Sequence, residues 1–207
     1  EMVQETKDLF DRMGVTWINA PMEAEGAAAV RCSLGEVYAV ASQDWDTLLY
    51  GAPVMIRNLT SHGTRRFGRV IHAERIVLEE LLSYHEISRE QLVDLGIMIG
   101  TDFHPGFRGV GPKTGLKLIK KYGTLEAVAE QKGLDVPLEI DQIRDLFMSH
   151  PTSSKTLQNP TKAIEEELRD FLQVERGFSE RRMDRALTRL AKSGRLKSKD
   201  QPTLFDF

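Results

Sequence analysis

Five carboxylates stand in three short stretches that could together form one chemical site. They are Glu23 and Glu25 in "APMEAEG", Asp44 and Asp46 in "SQDWD", and Asp102 in "GTDF". Carboxylates crowded together must become protonated or bind hard cations such as Mg²⁺ or Mn²⁺. Two such ions about 4 Å apart would clamp a phosphodiester and activate a water molecule. The pattern therefore predicts a two-metal hydrolytic site.

Each pair of acids also has a structural interpretation, which stays open for any single pair. Glutamates stabilise the N-terminus of a helix through its dipole, and aspartates cap turns. The histidines show no metal-ligand spacing and are interpreted as surface or loop residues: His62, His72, His85, His104 and His150. The single cysteine, Cys32, lies among small apolar residues and is interpreted as a core thiol.

A parallel sheet would bring the acids together. Three β-rich stretches are expected to be strands, "VTWINA" (15–20), "VYAVAS" (37–42) and "PVMIRNL" (53–59), with a helix from Pro21 to Leu34 after the first. This order favours an α/β fold with a mostly parallel sheet and flanking helices. Sites in such sheets form beyond the carboxyl ends of the strands. The acids are therefore expected to converge at one edge.

Helix signals mark the rest of the chain. Residues 1–13 favour an opening helix that Gly14 ends, and Ser88 with Gln91 forms a capping box for a helix over 88–100. Pro112 opens a further helix, and residues 150–162 are polar and typical of a linker. Ser179 is expected to begin the last long helix.

The charge distribution favours a nucleic-acid partner despite a net charge of −3. Residues 107–123 carry five cations and no acid, and residues 176–199 carry nine cations against two acids. An acidic centre between basic segments is what a metal-dependent nuclease needs, although each segment could also be a solvated surface. The turn "GVGPKTG" would let a phosphate approach the backbone and the helix N-terminus behind it. The residues expected to bind DNA backbone there are Gly109, Gly111, Lys113, Lys117, Lys120 and Lys121.

Four stretches identify a resemblance to the flap endonucleases of the structure-specific 5′ nuclease superfamily. "APMEAEG", "SQDWDTLLYG", "GTDFHPGFRGVGPKTGLKLI" and "GFSERRMDRALTRL" occur in that family's order and span nearly the whole chain. The chain is more similar to the archaeal type, because it lacks a long basic tail. The resemblance implies an incomplete PIN-like 5′ nuclease fold, followed by a helix–two-turns–helix DNA-binding element and C-terminal helices.

The resemblance also implies roles for individual residues. Glu23 and Glu25 would serve the first Mg²⁺, and Asp44, Asp46 and Asp102 the second. The carbonyls of Gly106, Phe107 and Val110 would hold a K⁺ ion against duplex DNA, and Arg176 and Arg182 would lie near a pocket for a short 3′ flap. The tail "QPTLFDF" resembles a peptide that binds a PCNA-like sliding clamp, although it lacks the usual second adjacent aromatic. The alternative interpretation is a disordered tail with incidental apolar residues. The peptide's contact residues would be Gln201, Leu204, Phe205 and Phe207.

The function implied is Mg²⁺-dependent 5′ flap endonuclease and 5′-3′ exonuclease activity on branched DNA, in Okazaki-fragment maturation and base excision repair. The protein is expected to be cytoplasmic and monomeric. The family's other two metal-binding aspartates, arch and wedge would precede residue 1, so this chain alone is expected to be inactive or weak. The alternatives are a non-catalytic module that binds DNA and the clamp, and a superfamily member that acts on gaps or junctions.

The predicted organisation has four parts. Residues 1–104 would be the acid-bearing α/β part, 105–150 the duplex-binding element, 151–199 a linker with basic helices, and 200–207 the clamp-binding tail.

Overall fold

The computed structural model describes residues 1–66 and 68–197. They form two compact units. One contains Asn19–Ser154, and the other contains Glu1–Ile18 together with residues 155–197. This structural division does not test the four functional parts expected from the sequence, which remain a prediction.

Helices account for most of the described structure. A 3₁₀ turn covers Leu59–Ser61, and a π-helical segment covers Asp170–Glu175. The α-helices are α1 (Met2–Arg12), α2 (Ala24–Ser33), α3 (Asp46–Leu49), α4 (Leu78–His85), α5 (Arg89–Ile99), α6 (Pro112–Tyr122), α7 (Leu125–Lys132), α8 (Ile140–Met148), α9 (Glu165–Arg169) and α10 (Glu180–Lys192). None of the helices in the described ranges combines the length and the apolar content needed to cross a membrane.

The larger unit carries a small mixed sheet. Its strands are β1 (Val40–Ala41), β2 (Val54–Arg57) and β5 (Glu74–Val77), in the order β1-β2-β5, while β3 (Arg65–Arg66) and β4 (Arg69–Val70) form a separate hairpin. β1 and β2 are parallel, but β5 pairs antiparallel with β2. The hairpin of β3 and β4 lies between β2 and β5 in the sequence, and after it the chain runs in the opposite direction. A mostly parallel sheet is therefore not confirmed.

The strand predicted over 15–20 is wrong for the described structure. These residues join the two units, and their hydrogen bonds go to a helix end and a loop in place of a sheet ladder. The Val15 N–H donates to the Phe10 carbonyl at 2.8 Å, and the Thr16 hydroxyl donates to the Gln158 carbonyl at 2.7 Å. A β-rich stretch becomes a strand only where a neighbouring strand offers its hydrogen bonds.

The predicted helix boundaries hold at most places because their caps are local. Ser88 accepts the Gln91 N–H at 3.2 Å, and the Gln91 side chain accepts the Ser88 N–H at 3.0 Å, which completes the predicted capping box. Helix α6 begins at Pro112 as expected. Helix α2 begins at Ala24 instead of Pro21, with Glu23 as its N-cap residue.

The core of the larger unit lies between α5, α6, α7 and α8. Its fully buried side chains include Ile97, Met98, Ile119 and Phe147, and Cys32 is buried in the same core, as predicted. Asp94 of α5 is buried too, and it accepts the Leu125 N–H at 2.9 Å and the Arg144 Nε–H at 2.7 Å. This paired carboxylate fixes α5 against α7 and α8.

The smaller unit has its own apolar core. Met183 and Leu187 of α10 pack with Leu168 of α9 and with Leu9 and Met13 near the chain start. The opening and closing segments of the sequence therefore fold together.

Candidate metal centre and nucleic-acid interface

The structure brings the five predicted acids to one small pocket, which Tyr50 and Phe103 also line. Glu23 and Glu25 stand at the start of α2, Asp44 follows β1, Asp46 begins α3, and Asp102 follows α5. Glu23, Asp44 and Asp102 are exposed, and Glu25 and Asp46 are partly buried. The pocket is thus an open acidic surface to which three stretches of the chain contribute: residues 23–25, 44–50 and 102–103.

A purely structural role, as a cap of a turn or a helix, explains Asp44 better than the other acids. The Asp44 carboxylate accepts the Asp46 backbone N–H at 3.0 Å, as an aspartate in a turn does. The Asp44 N–H in turn donates to the Ser42 hydroxyl at 3.0 Å. Glu23 has extended backbone at the N-cap of α2, but its side chain makes no capping hydrogen bond. Helix capping therefore does not account for Glu23.

Mutual repulsion is visible at Asp46. Burial, the largest cause, acts together with the charges of the other four acids to raise the pKa of Asp46 to about 6; in order of effect these acids are Asp44, Asp102, Glu25 and Glu23. Burial is also the main reason why the pKa of Tyr50 lies above its ordinary value, and the neighbouring carboxylates add to this effect. The site concentrates negative charge that its own residues do not neutralise.

The donor set fits a hard divalent cation. All five groups are carboxylates, which Mg²⁺ and Mn²⁺ prefer to nitrogen or sulfur ligands. Within residues 1–66 and 68–197, no group of three or more acids, histidines or cysteines is placed closely enough to hold a metal ion. Mg²⁺ commonly uses only one or two carboxylates and keeps several water ligands, so an open arrangement suits it.

One of the five histidines, His150, lies in a loop as expected but is not at the surface. His150 is buried, and its ring meets the Tyr50 ring edge-on with centroids 5.0 Å apart. A Cβ added at Gly26 would lie 2.5 Å from the His150 ring, so glycine is required there by close approach. Tyr50 also packs on Phe147, with centroids 4.8 Å apart. An aromatic layer therefore lies behind the acids.

The sequence signal for this layer was Gly26. Glycine in the interior of an otherwise alanine-rich helix costs stability, roughly 1 kcal/mol relative to alanine, and so indicates close approach by another group. The identity of that group, His150, depends on a contact 124 residues away and could not be predicted locally.

The connection between α5 and α6 forms a compact double turn. The Thr101 N–H donates to the His104 carbonyl at 2.8 Å, and the Phe107 N–H donates back to the Met98 carbonyl at 2.8 Å. Gly106 has φ +80°, and a Cβ there would lie 2.4 Å from the Ile99 carbonyl oxygen. The turn therefore depends on glycine at this position, and it presents the start of α6 to solvent.

The predicted K⁺ donors lie in this turn. Phe107 is buried, and its carbonyl already accepts the Val110 N–H at 3.0 Å. A carbonyl oxygen has a second lone pair, so this bond leaves room for a cation. The K⁺ site at Gly106, Phe107 and Val110 stays a prediction.

The basic face of α6 lies where the sequence placed it. Lys113, Lys117, Lys120 and Lys121 are all exposed, and helical spacing places them on one side of α6. Lys120 is in an ion pair with Glu86 at 2.6 Å, so Lys113, Lys117 and Lys121 contribute most to the positive field. Nothing lies within 4 Å of a Cβ built at Gly109 or Gly111. A backbone phosphate could therefore approach both glycines.

The other predicted contacts have separate surroundings. Arg176 is 3.4 Å from Glu5 and lies over the Phe171 ring, with 4.9 Å from the guanidinium carbon to the ring centroid. Arg182 lies over Phe178 at 4.3 Å. Both are in the smaller unit, and their 3′-flap role stays a prediction. The tail residues Gln201, Leu204, Phe205 and Phe207 lie outside the described part of the chain.

Comparison with known proteins gives a consistent result. Residues 14–102 match the family model described as the XPG I-region. The chain is 43% identical to "Flap endonuclease 1" of Methanosarcina barkeri, over 97% of this chain and 61% of that protein. It is 39% identical to "Flap endonuclease 1" of Pyrobaculum arsenaticum, over 99% of this chain and 62% of that protein. The chain thus spans about three-fifths of the length of these relatives.

Solved structures show the same fold. The flap endonuclease-1 of Methanococcus jannaschii aligns with a TM-score of 0.79 at 32% identity, over 92% of this chain and 57% of that one. The catalytic core of Rad2 in complex with DNA substrate aligns with a TM-score of 0.74 at 21% identity, which shows the fold alone. The resemblance predicted from the four sequence stretches is confirmed.

Proposed function

We infer that the chain belongs to the flap endonucleases, and we propose that the protein is a structure-specific 5′ nuclease that cuts branched DNA at a 5′ flap. The convergence of Glu23, Glu25, Asp44, Asp46 and Asp102 on one pocket is the observation that carries this proposal. The chain spans about three-fifths of its relatives' length, so the proposal concerns the activity of the whole protein.

The five carboxylates would hold two Mg²⁺ ions. Bound there, the metal would lower the pKa of a water molecule and offset charge on the attacking and leaving oxygens. The protein's own contribution is electrostatic and positional. Asp46 is held in place through its N–H bond to Asp44, and the pocket's negative charge would repel a phosphodiester unless cations neutralise it.

The double turn and α6 would hold the duplex. Phosphate oxygens would meet the free N–H groups at the start of α6, where the helix dipole is positive. Lys113 and Lys117 would add charge without reading sequence. A K⁺ ion at the carbonyls of Gly106, Phe107 and Val110 would join the turn to a phosphate.

Three further expectations remain proposals. The tail would bind a PCNA-like sliding clamp through Gln201, Leu204, Phe205 and Phe207. The protein would act as a monomer in the cytoplasm. Its substrates would arise in Okazaki-fragment maturation and base excision repair.

The test is cleavage of a 5′-end-labelled flap DNA by the protein expressed from its complete reading frame. We expect Mg²⁺-dependent cutting near the branch that Asp46→Ala abolishes and Asp135→Ala leaves intact, because Asp135 is an exposed loop acid outside the pocket. Failure of the wild type to cut, or full activity in Asp46→Ala, would contradict the proposal. Gapped and junction DNA in parallel reactions identify the preferred branch.

The 207 residues alone are expected to cut the same flap weakly or not at all. Cutting by this chain at the rate of the complete protein would contradict that expectation. A chain that binds DNA but takes no metal would favour a non-catalytic module.

A further inference from the structure

Among the described residues that line the acidic pocket, Tyr50 alone carries a side chain that donates hydrogen bonds once the acids are ionised. The other lining residues are the five carboxylates and Phe103. A tyrosine hydroxyl is a donor as well as an acceptor, whereas an ionised carboxylate only accepts. The pocket therefore combines five acceptor groups with one neutral donor.

The Tyr50 ring is held behind the acids by other rings. It packs on Phe147 with centroids 4.8 Å apart and meets the His150 ring edge-on at 5.0 Å. Only 4% of the Tyr50 surface is exposed. A phenylalanine would make the same ring contacts, because the hydroxyl takes no part in them. Packing therefore does not explain why this residue carries a hydroxyl.

The hydroxyl of Tyr50 has no protein partner in the described part of the chain. It is not sealed from solvent, as the ring nitrogens of His150 are. Burial, and then the charges of four pocket acids with Glu23 first and Asp46 next, raise the pKa of Tyr50, so the hydroxyl lies close to these acids. A buried tyrosine hydroxyl normally has a hydrogen-bond partner. The pocket is therefore where this donor finds its acceptor.

Two carboxylates are placed to accept from the hydroxyl. The Tyr50 N–H donates to the Asp46 carbonyl at 2.9 Å, and residues four apart lie on the same face of a helix. Glu23 is exposed, and its side chain makes no capping hydrogen bond. The Glu23 carboxylate can therefore rotate to the hydroxyl without any movement of the backbone.

We propose that the Tyr50 hydroxyl is a positioning group of the metal centre, which donates a hydrogen bond to the carboxylate of Glu23 or Asp46. This inference rests on the proposed function and deepens it. A carboxylate has two oxygens, so the hydrogen bond would hold one oxygen while the other faces the cation. Hydrogen bonds of this kind orient metal ligands, and their loss commonly costs roughly 10- to 100-fold in metal affinity.

The test is titration calorimetry with Mn²⁺ on the protein expressed from its complete reading frame. Tyr50→Phe keeps the ring contacts and loses only the hydroxyl, so it should fold normally and bind Mn²⁺ about tenfold more weakly than the wild type. Tyr84→Phe is the matched control, because Tyr84 is an exposed tyrosine of α4 whose ring also meets a histidine, His85, edge-on at 5.0 Å. It should keep the wild-type affinity.

The Mg²⁺ dependence of flap cutting separates positioning from other roles. Half-maximal cutting by Tyr50→Phe should need about tenfold more Mg²⁺, because the loss is one of metal affinity. At saturating Mg²⁺ its rate should return close to that of the wild type. A lower melting temperature in EDTA with unchanged Mn²⁺ affinity would indicate a purely structural hydroxyl and would contradict the proposal. A lower rate that saturating Mg²⁺ does not restore, again with unchanged Mn²⁺ affinity, would place the hydroxyl on the DNA and would also contradict it.

The outcomes also separate this inference from the proposed function. If Tyr50→Phe and the wild type bind Mn²⁺ equally, the positioning role of Tyr50 is wrong, although the nuclease proposal stands. If the wild type neither binds Mn²⁺ nor cuts the flap, the proposed function fails, and the role of Tyr50 fails with it.

Discussion

At the scale of single residues, the acidic pocket lowers the stability of the folded chain because it concentrates negative charge. Asp46 shows this, because burial and four neighbouring acids raise the pKa of its carboxyl to about 6. The unfolded chain would ionise the same group near pH 4. Ionisation of Asp46 therefore disfavours the folded state wherever no cation neutralises the pocket.

The substitution Asp46→Asn is expected to stabilise the metal-free chain at pH 8. The raised pKa means that Asp46 favours folding while protonated, and this contribution is lost as the pH rises from about 4 through 6. The gain should be of order 1 kcal/mol, reduced by solvent screening because the group is only half-buried. Thermal melts in EDTA at pH 4 and pH 8 measure it.

Asp135→Asn is the control for that melt, and it should change the stability little at either pH. The stabilisation by Asp46→Asn should also shrink when Mg²⁺ is added, because the wild type alone gains a neutralising ligand. Equal stability of Asp46→Asn and wild type at pH 8 in EDTA would contradict the repulsion described for the pocket.

Gly26 and His150 give a second prediction at this scale. Gly26→Ala should destabilise the chain by roughly 1 to 3 kcal/mol, because its new Cβ would lie 2.5 Å from the buried ring. Urea unfolding measures the loss. Gly111→Ala is the matched control, since nothing lies within 4 Å of its Cβ and its φ of −98° suits alanine. Similar losses of stability in both variants would contradict the close approach described for Gly26.

At the scale of elements, the α5–α6 connection determines how the DNA-binding helix is presented. Gly106 and Gly109 both have φ near +80°, but only Gly106 faces the backbone of α5. A side chain at Gly109 would meet backbone strain alone, whereas a side chain at Gly106 would also collide with the Ile99 carbonyl. The two positions therefore separate conformational strain from close approach.

Gly106→Ala is accordingly expected to cost at least about 1 kcal/mol more than Gly109→Ala in urea unfolding. It should also weaken flap-DNA binding more, because displacement of the turn moves the start of α6. Equal costs for the two variants would show that the turn accommodates a side chain at Gly106.

At the scale of the whole molecule, local signals were sufficient for most helices and for the five acids. The capping box at Ser88 and the proline at the start of α6 are encoded within a few residues. The five acids do line one pocket, although the strand expected before Glu23 and Glu25 is not present at residues 15–20.

The features that the sequence did not predict depend on contacts between residues that are far apart in the chain. The strand predicted over 15–20 lacks a ladder among the described residues, and β5 returns antiparallel beside β2 after a hairpin. The burial of His150 depends on Gly26 and Tyr50, both more than ninety residues earlier. Propensity and periodicity carry no information about such partners.

The central claim is that the five-acid pocket binds divalent cations, and titration calorimetry with Mn²⁺ tests it most directly. We predict binding heat for the wild-type chain and for Asp135→Ala, and its loss in Asp44→Ala and Asp46→Ala. No heat in the wild type, or unchanged heat when Asp46 is removed, would contradict the account.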